Sequence, residues 1–335
     1  MSNSMRAVIV NTPGDASHLA LGSFEKPVPT DTQILVNVKA FALNRMDILQ
    51  REGKYKVPAH ASPILGVEVS GVVESIGKDV KDFKVGEAVF GLMPGGGYAE
   101  FAVLEESLTM HKPDTISFEE AAAIPETWFT AYQALFFVGE MKKGQDVLIH
   151  AGASGVGIAA IQLAKEAGAK RIFVTVGSDD KVEFCESIGA TKGINYKTQN
   201  WSDIILQETN NKGVNVLVDF VGKDYWKQNM DVLGFDGHMV ILAFMSGAII
   251  EQFDVTVMFQ KRLRIEGSSL RARSLEYQAR LRDDIYQHAV LNHIAKHDGQ
   301  LKVFVDKIYN WKDIADAHRY LESNQSKGKI VIKVE

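Results

Sequence analysis

The hexapeptide Gly152-Ala153-Ser154-Gly155-Val156-Gly157 holds the residues of this chain best suited to chemistry with an anion. A pyrophosphate seated on a helix N-terminus needs backbone N–H groups within hydrogen-bond reach, and a Cβ in the turn would hold it away. Gly152 and Gly157 take the first and third positions of the G-x-G-x-x-G pattern, and Ser154 stands where the second glycine would be. The serine hydroxyl is small enough for the turn and can donate to a phosphate. Gly155 and Val156 complete the candidate cradle. A glycine-rich turn alone can equally be a structural bend, so the flanking segments decide.

A second cluster, Gly177-Ser178-Asp179-Asp180-Lys181, follows the apolar run Val174-Thr175-Val176. At this place in a dinucleotide site an acid accepts from the ribose 2′-OH of NAD, whereas small and basic residues leave room for a 2′-phosphate. Gly177 stands where the acid is expected, and Ser178 and Lys181 can hold a phosphate; the expected cofactor is NADPH. Asp179 and Asp180 leave ribose recognition open as the alternative to their role as first-turn acids at the positive end of a helix dipole.

The elements that must position these clusters follow from periodicity. Val147, Leu148 and Ile149 form a β-branched run, and Ile158, Ile161, Leu163, Ala164 and Ala167 recur at helical spacing until Gly168. Strand, turn and helix thus frame the hexapeptide. Beyond it the spacing predicts strands over 171–176, 194–196, 214–221, 238–244 and 263–268, with helices over 181–188, 201–209 and 225–233. Such alternation makes an α/β fold, a doubly wound parallel sheet covered on both faces. The first 125 or so residues carry short alternating segments over 6–10, 33–40, 66–76, 88–92 and 98–103, bounded by Pro and Gly, and predict a small barrel or sandwich. Ser117-Phe118-Glu119-Glu120 starts a helix as a capping box, Pro125 interrupts it, and 127–138 resumes it. The tail predicts a helix over 275–296, a strand over 303–309, a helix over 314–323 and a strand over 329–334. Its strands are expected to return to the front domain. The expected domains are 1–126, 127–268 and the returning 269–335.

At 335 residues and 46% hydrophobic, the chain exceeds what one core usually supports. Its net charge of −5 and dispersed Lys and Arg argue against nucleic acid or an anionic membrane as partner. The single cysteine, Cys185, excludes an intramolecular disulfide or a Cys-rich zinc site and suits a reducing compartment. No apolar run reaches the ~20 residues of a membrane span, and Met1 to Val10 does not read as an export signal. A cytoplasmic location is expected.

Taken together, the β-rich front, AGASGVGIAAIQLAK, GINY at Gly193 to Tyr196 and GKIVI at Gly328 to Ile332 resemble the zinc-free quinone oxidoreductase branch of the medium-chain dehydrogenase/reductase superfamily. ALNRMDILQREGKY at Ala42 to Tyr55, LMPGGGYAE at Leu92 to Glu100 and AAAIPETWFTAYQ at Ala121 to Gln133 look closest to its p53-inducible type. The resemblance implies a Rossmann doubly wound parallel sheet plus a GroES-like β-rich catalytic domain. Zinc-dependent relatives carry a cysteine ligand where this chain has Asn44 and a histidine ligand where it has Val67. An amide is a poor zinc donor and valine has no lone pair, so no metal is expected.

The resemblance also implies individual roles. Asn44 and Tyr55 belong near the nicotinamide and substrate. Tyr55 is either a proton donor to the reduced oxygen or an aromatic lining the site, and Asn44 is either a cofactor contact or a structural loop residue. Thr130 is implied at the nicotinamide ribose or phosphate, Tyr196 on the adenosine phosphate side, Leu242 and Phe244 near the nicotinamide, Ser268 at the carboxamide and Lys329 at a cofactor phosphate. Packing or solvation is the competing role for each. Asp47 and Glu68 are read as structural acids. Without a Lewis acid, a hydride acceptor must be activated by its own carbonyl, as a quinone or an α,β-unsaturated carbonyl is. An NADPH:quinone oxidoreductase, an enone or alkenal double-bond reductase, and an NADPH-binding regulatory or structural protein remain as readings. The β-branched sequence at Met239 to Leu242 and Leu263 to Gly267, read as exposed, together with the resemblance predicts a homodimer paired through an edge strand.

Overall fold

The computed structural model describes residues 4–59 and 61–335; Met1–Asn3, part of the stretch read for an export signal, lie outside the described residues. Met1–Phe129 with Arg271–Glu335 form one compact unit, and Thr130–Leu270 a second. The front of the first unit contains β1 (Ser4–Val10), β2 (Leu19–Glu25), β3 (Gln33–Ala42), β4 (Glu68–Ile76), β5 (Ala88–Leu92), β6 (Phe101–Glu105) and β7 (Thr109–His111), with α1 (Arg45–Arg51) and α2 (Phe118–Ala122). Ser117 caps α2 through a capping box with Glu120, as its spacing predicts. Pro125 does more than interrupt: it opens a separate helix, α3 (Pro125–Tyr132), where a missing N–H costs nothing.

The second unit contains β8 (Asp146–Ile149), α4 (Gly155–Glu166), β9 (Arg171–Val176), α5 (Asp179–Ile188), β10 (Lys192–Asn195), α6 (Trp201–Glu208), β11 (Val214–Asp219), α7 (Trp226–Val232), β12 (Leu233–Ile241), α8 (Thr256–Lys261) and β13 (Arg264–Gly267). All six strands are parallel, in the order β10-β9-β8-β11-β12-β13. This is the Rossmann order, whose reversal of direction lies between β8 and β11. Every residue of β8 is buried, as expected of a central strand covered on both faces.

The chain returns to the first unit through α9 (Leu275–Ile285), β14 (Val305–Asn310), α10 (Ile314–Glu322) and β15 (Lys329–Lys333). β14 and β15 join a seven-stranded sheet in the order β14-β15-β3-β4-β5-β7, with β6 on β3. The core of this unit gathers Phe41, Tyr98 and Leu104 with Trp311 and Ile332 of the return.

Several expectations need correction. β12 begins at Leu233 and ends at Ile241, so Leu242 and Phe244 lie past the strand. Met239 and Val240 are fully buried in an internal strand; of the two runs, the second alone, β13, lies at an edge of the sheet. The helix expected over 275–296 is α-helical only to Ile285, continuing as a π-helical turn over Tyr286–Leu291 and a 3-10 turn over Ile294–Lys296. β2, β7, α1 and α8 lie outside the expected elements; β2 (LALGSFE) holds Gly22 and Ser23 and is mostly exposed, and β7 has only three residues.

Candidate active site

The second unit places most of its expected cofactor residues just past the C-terminal ends of its strands, while Thr130 lies in α3 and Lys181 in α5. After β8 the backbone turns sharply, with Ala151 at φ +50°. A Cβ on Gly152 would stand 2.7 Å from Cβ of Val174, and one on Gly157 would stand 2.5 Å from the carbonyl oxygen of Ala151. Close packing therefore demands both glycines, Gly152 against β9 and Gly157 between α4 and the turn. Ser154 caps α4, its Oγ accepting from the Gly157 N–H at 3.0 Å. The hydroxyl proton stays available, and the N–H groups of Gly155 and Val156 remain the open donors of the helix end. Ser154, Gly155 and Val156 are all partly exposed.

Gly177 follows β9, where a Cβ would meet the Tyr196 hydroxyl at 2.9 Å. Ser178 caps α5 in extended conformation without using its hydroxyl on the helix. Asp179 accepts from Asn195 Nδ2 at 2.8 Å, tying its carboxylate to the end of β10. Lys181 is half-buried and, one turn before Cys185, acts on that buried thiol, which burial pushes up to about 12. Tyr196 is 45% exposed and faces Tyr225 with ring centroids 6.3 Å apart. With Lys197, Asn200, Trp201 and Gln228 these two rings line an open recess of about 380 Å³.

Two hydroxyls in this unit fit a polar ligand. Thr130 Oγ1 and Ser268 Oγ are buried and meet no partner among the described residues. Leaving such a group unsatisfied costs about 1–3 kcal/mol, and a ribose or carboxamide would relieve it. The Ser268 N–H meanwhile donates to Ile241 O at 2.9 Å, holding the residue just past β13. Leu242 is half-buried, its N–H on Asp219 O at 2.8 Å, and Phe244 is 53% exposed.

At the C-terminal ends of β8 and β11 stand two buried titratable side chains, His150 and Asp219, that the sequence did not signal. His150 Nδ1 meets Thr175 Oγ1 and Nε2 meets Asn229 Oδ1, each at 2.8 Å. Burial lowers its pKa to about 4. Asp219, buried at the end of β11, is raised by burial to about 6 although the Val221 N–H donates to it at 2.8 Å.

The first unit holds a buried polar network. Lys329 Nζ donates to Asn44 Oδ1 and Glu68 Oε1 at 2.7 Å each and to Leu43 O at 2.8 Å. Asn44 Nδ2 donates to Glu68 Oε1 at 2.8 Å, and the Glu126 N–H reaches Glu68 Oε2 at 2.8 Å. Lys329 is 5% exposed with all three ammonium protons engaged, so the expected phosphate contact is corrected: this lysine neutralises Glu68. Asn44 keeps one free amide hydrogen.

Behind it, Asp47 Oδ2 accepts from the Asn44 N–H at 2.8 Å and the Tyr98 hydroxyl at 2.9 Å. Tyr98 also lies 3.3 Å from His318 Nε2, whose Nδ1 is 3.2 Å from Arg51. Burial raises Asp47 to about 6 and lowers His318 to about 3, so the imidazole stays neutral. Tyr55 is half-buried under the Arg271 guanidinium, 5.4 Å from its ring centroid. Its hydroxyl meets no partner among the described residues. Arg271 in turn is held by Pro94 O at 2.8 Å and Gln50 Oε1 at 3.2 Å. Glu126, half-buried at the start of α3, is raised to about 7, chiefly by burial and then by the charge of Glu68. The Pro-Glu pair after an alanine run was the available signal for it.

A metal cation would find poor support at the positions that bind zinc in the resembling enzymes. Val67 has no donor, and the Asn44 oxygen already accepts from an ammonium. Among the described residues, no three His, Cys, Asp or Glu side chains cluster as a metal site, and no helix is long and apolar enough to cross a membrane.

The sequence matches the family described as zinc-binding dehydrogenase over residues 155–284 and that of the alcohol dehydrogenase GroES-like domain over residues 30–114. Quinone oxidoreductase of Rattus norvegicus is 29% identical over 98% of this chain and 97% of its own. The crystal structure of the Escherichia coli quinone oxidoreductase complexed with NADPH is 29% identical and superposes with a TM-score of 0.84 over 98% of this chain and 99% of its own. That of an NAD-dependent alcohol dehydrogenase is 30% identical, with a TM-score of 0.84 over 99% and 100%. The chain also matches a phenolphthiocerol/phthiocerol polyketide synthase subunit of Mycobacterium tuberculosis, 29% identical over 99% of this chain, and spans about 15% of that protein's length.

Proposed function

Since the chain belongs to the medium-chain dehydrogenase/reductase superfamily, we propose that it is an NADPH-dependent oxidoreductase that passes reducing equivalents to a quinone without zinc. The observation that carries the choice of acceptor is Lys329 Nζ on Asn44 Oδ1 at 2.7 Å. An ammonium on that oxygen opposes a metal ion there, so the acceptor must supply its own electron sink, as a quinone does.

Bound NADPH supplies the hydride. Gly155 and Val156 offer N–H donors, and Ser154 a hydroxyl, to its pyrophosphate. Thr130 and Ser268 offer the two unpartnered hydroxyls to the nicotinamide half, with Leu242 and Phe244 as apolar neighbours. Gly177, Ser178 and Lys181 favour a 2′-phosphate over a bare ribose, because the competing carboxylate of Asp179 is held by Asn195. Tyr196, beside the recess, is assigned to the adenosine side. Tyr55 is the candidate donor to the acceptor, its hydroxyl unengaged among the described residues. Asn44 supports the site through its remaining amide hydrogen.

Purified protein incubated with NADPH and an ortho-quinone tests this. Nucleotide oxidation that survives dialysis against a chelator, with a Michaelis constant for NADPH well below that for NADH, is expected. No turnover with any quinone, or a clear preference for NADH, overturns it. We further assign a cytoplasmic homodimer pairing through the exposed edge strand β13. Light scattering that returns the mass of a single chain would remove the dimer.

A further inference from the structure

The residues assigned so far to a 2′-phosphate, Gly177, Ser178 and Lys181, all lie between the end of β9 and the first turn of α5. The turn after β10 reaches the same place from the neighbouring strand. The Tyr196 N–H donates to Val176 O at 3.0 Å, which sets Tyr196 and Lys197 alongside Gly177. A Cβ on Gly177 would stand 2.9 Å from the Tyr196 hydroxyl and 3.5 Å from Lys197 Cε, the carbon that carries the ammonium. In an NAD site the acid projects from this position toward the ribose 2′-OH. Here the space that such an acid would fill is bounded instead by a hydroxyl and a cation.

We propose that Lys197 determines the cofactor preference, its ammonium pairing with the 2′-phosphate of NADPH beside the Tyr196 hydroxyl. The inference rests on the reading of the chain as NADPH-dependent. The Tyr196 hydroxyl serves either cofactor, since it can donate to a phosphate or accept from a 2′-OH. An ammonium gains far more from a phosphate than from a neutral hydroxyl, so the discrimination falls to Lys197.

The surroundings leave this lysine available and its backbone fixed. Its ammonium meets no partner among the described residues, so no ion pair has to break when a phosphate arrives. Lys197 is exposed and lines the open recess together with Tyr196 and Tyr225, where a ligand can reach it. The Lys197 N–H donates to Asn195 Oδ1 at 3.1 Å, and Asn195 O accepts from the N–H groups of Thr198 at 3.1 Å and Gln199 at 3.0 Å. Asn195 Nδ2 donates to Asp179 Oδ1 at 2.8 Å. One buried amide thus anchors the cation and ties down a carboxylate that would repel the phosphate.

Fluorescence titration with NADPH and NADH, and competition by adenosine 2′,5′-bisphosphate against adenosine 5′-phosphate, test this without turnover. Lys197→Met should weaken NADPH and the bisphosphate about 10-fold, the low end for a hydrogen bond to a charged group. NADH, the monophosphate and the melting temperature should stay at wild-type values, and Lys197→Arg should restore most of the lost affinity. Because exposed charges are screened, added salt should narrow the wild-type preference for NADPH more than that of K197M. A K197M protein that keeps the wild-type ratio of NADPH to NADH affinity, or that loses both alike, overturns the proposal and leaves the NADPH reading standing. A wild type that binds NADH as tightly as NADPH overturns the NADPH reading itself, and the proposal with it.

Discussion

Lys329 Nζ sits 2.7 Å from Glu68 Oε1, joining the last strand to a residue 261 positions earlier. Both side chains are almost wholly buried, at 6% and 0% exposure. The pair closes the returning segment onto the front of the first unit and holds the two amide ends of Asn44 between them.

Removing one partner of such a pair leaves a buried charge uncompensated, at about 3–5 kcal/mol. Lys329→Met is expected to lose stability in that range by urea denaturation. The double variant with Glu68→Gln should recover a large part of it, because both charges are then gone. A loss in Lys329→Met below about 1 kcal/mol, the level of exposed pairs, would count against the pairing.

Asp47 titrates near 6 in the folded chain and at 3.8 as a free side chain, because burial disfavours its charge. The folded state therefore binds this proton more tightly. The resulting stabilisation is fully present below pH 3.8 and is lost as pH rises through 6. Asp47→Asn carries no such dependence, and its stability relative to wild type should improve by up to about 3 kcal/mol between pH 4 and pH 7, at 1.36 kcal/mol per unit. Equal pH slopes for the two proteins in denaturant titrations would contradict the shift.

Thr130 and Ser268 make opposite demands on the empty and the loaded protein. Thr130→Val and Ser268→Ala each delete a buried hydroxyl without a partner. Melting temperature without cofactor should hold or rise, while the dissociation constant for NADPH rises roughly 3- to 10-fold, the value of one hydrogen bond of about 0.5–1.5 kcal/mol. Unchanged affinity in both variants would remove them from the cofactor site.

Gly157 and Gly267 should answer the same substitution differently. A methyl group on Gly157 would press on the carbonyl oxygens of Ala151 at 2.5 Å and Gly152 at 2.6 Å, backbone atoms that cannot turn aside, whereas Gly267 has nothing within 4 Å. Gly157→Ala should cost about 1–3 kcal/mol and lower NADPH affinity by distorting the turn. Gly267→Ala should leave melting temperature and NADPH affinity near wild type. Calorimetry and fluorescence titration on the two variants check the contrast.

How much was legible follows from the range of each interaction. Val147 to Ile149, the hexapeptide and the helix after it are contiguous, and their periodicity alone predicted strand, turn and helix. The same local logic predicted the capping box at Ser117 and the alternation that becomes six parallel strands. That Asn44 and Val67 would offer a metal little rests on the resemblance to zinc-dependent enzymes together with the atoms those two side chains carry.

Tertiary structure decided the rest. Whether a lysine near the C-terminus meets a phosphate or a carboxylate depends on which strand β15 pairs with, and the antiparallel pairing of Val331 with Ala42 brings Lys329 to Asn44. Which of two β-branched runs is an edge depends on strand order, and that order sets Met239 in an internal strand between β11 and β13. Whether a hydroxyl is satisfied, as for Thr130 and Ser268, depends on neighbours that chain folding supplies from far along the sequence. Local pattern sets what each segment becomes; burial and long-range pairing set what its side chains can do.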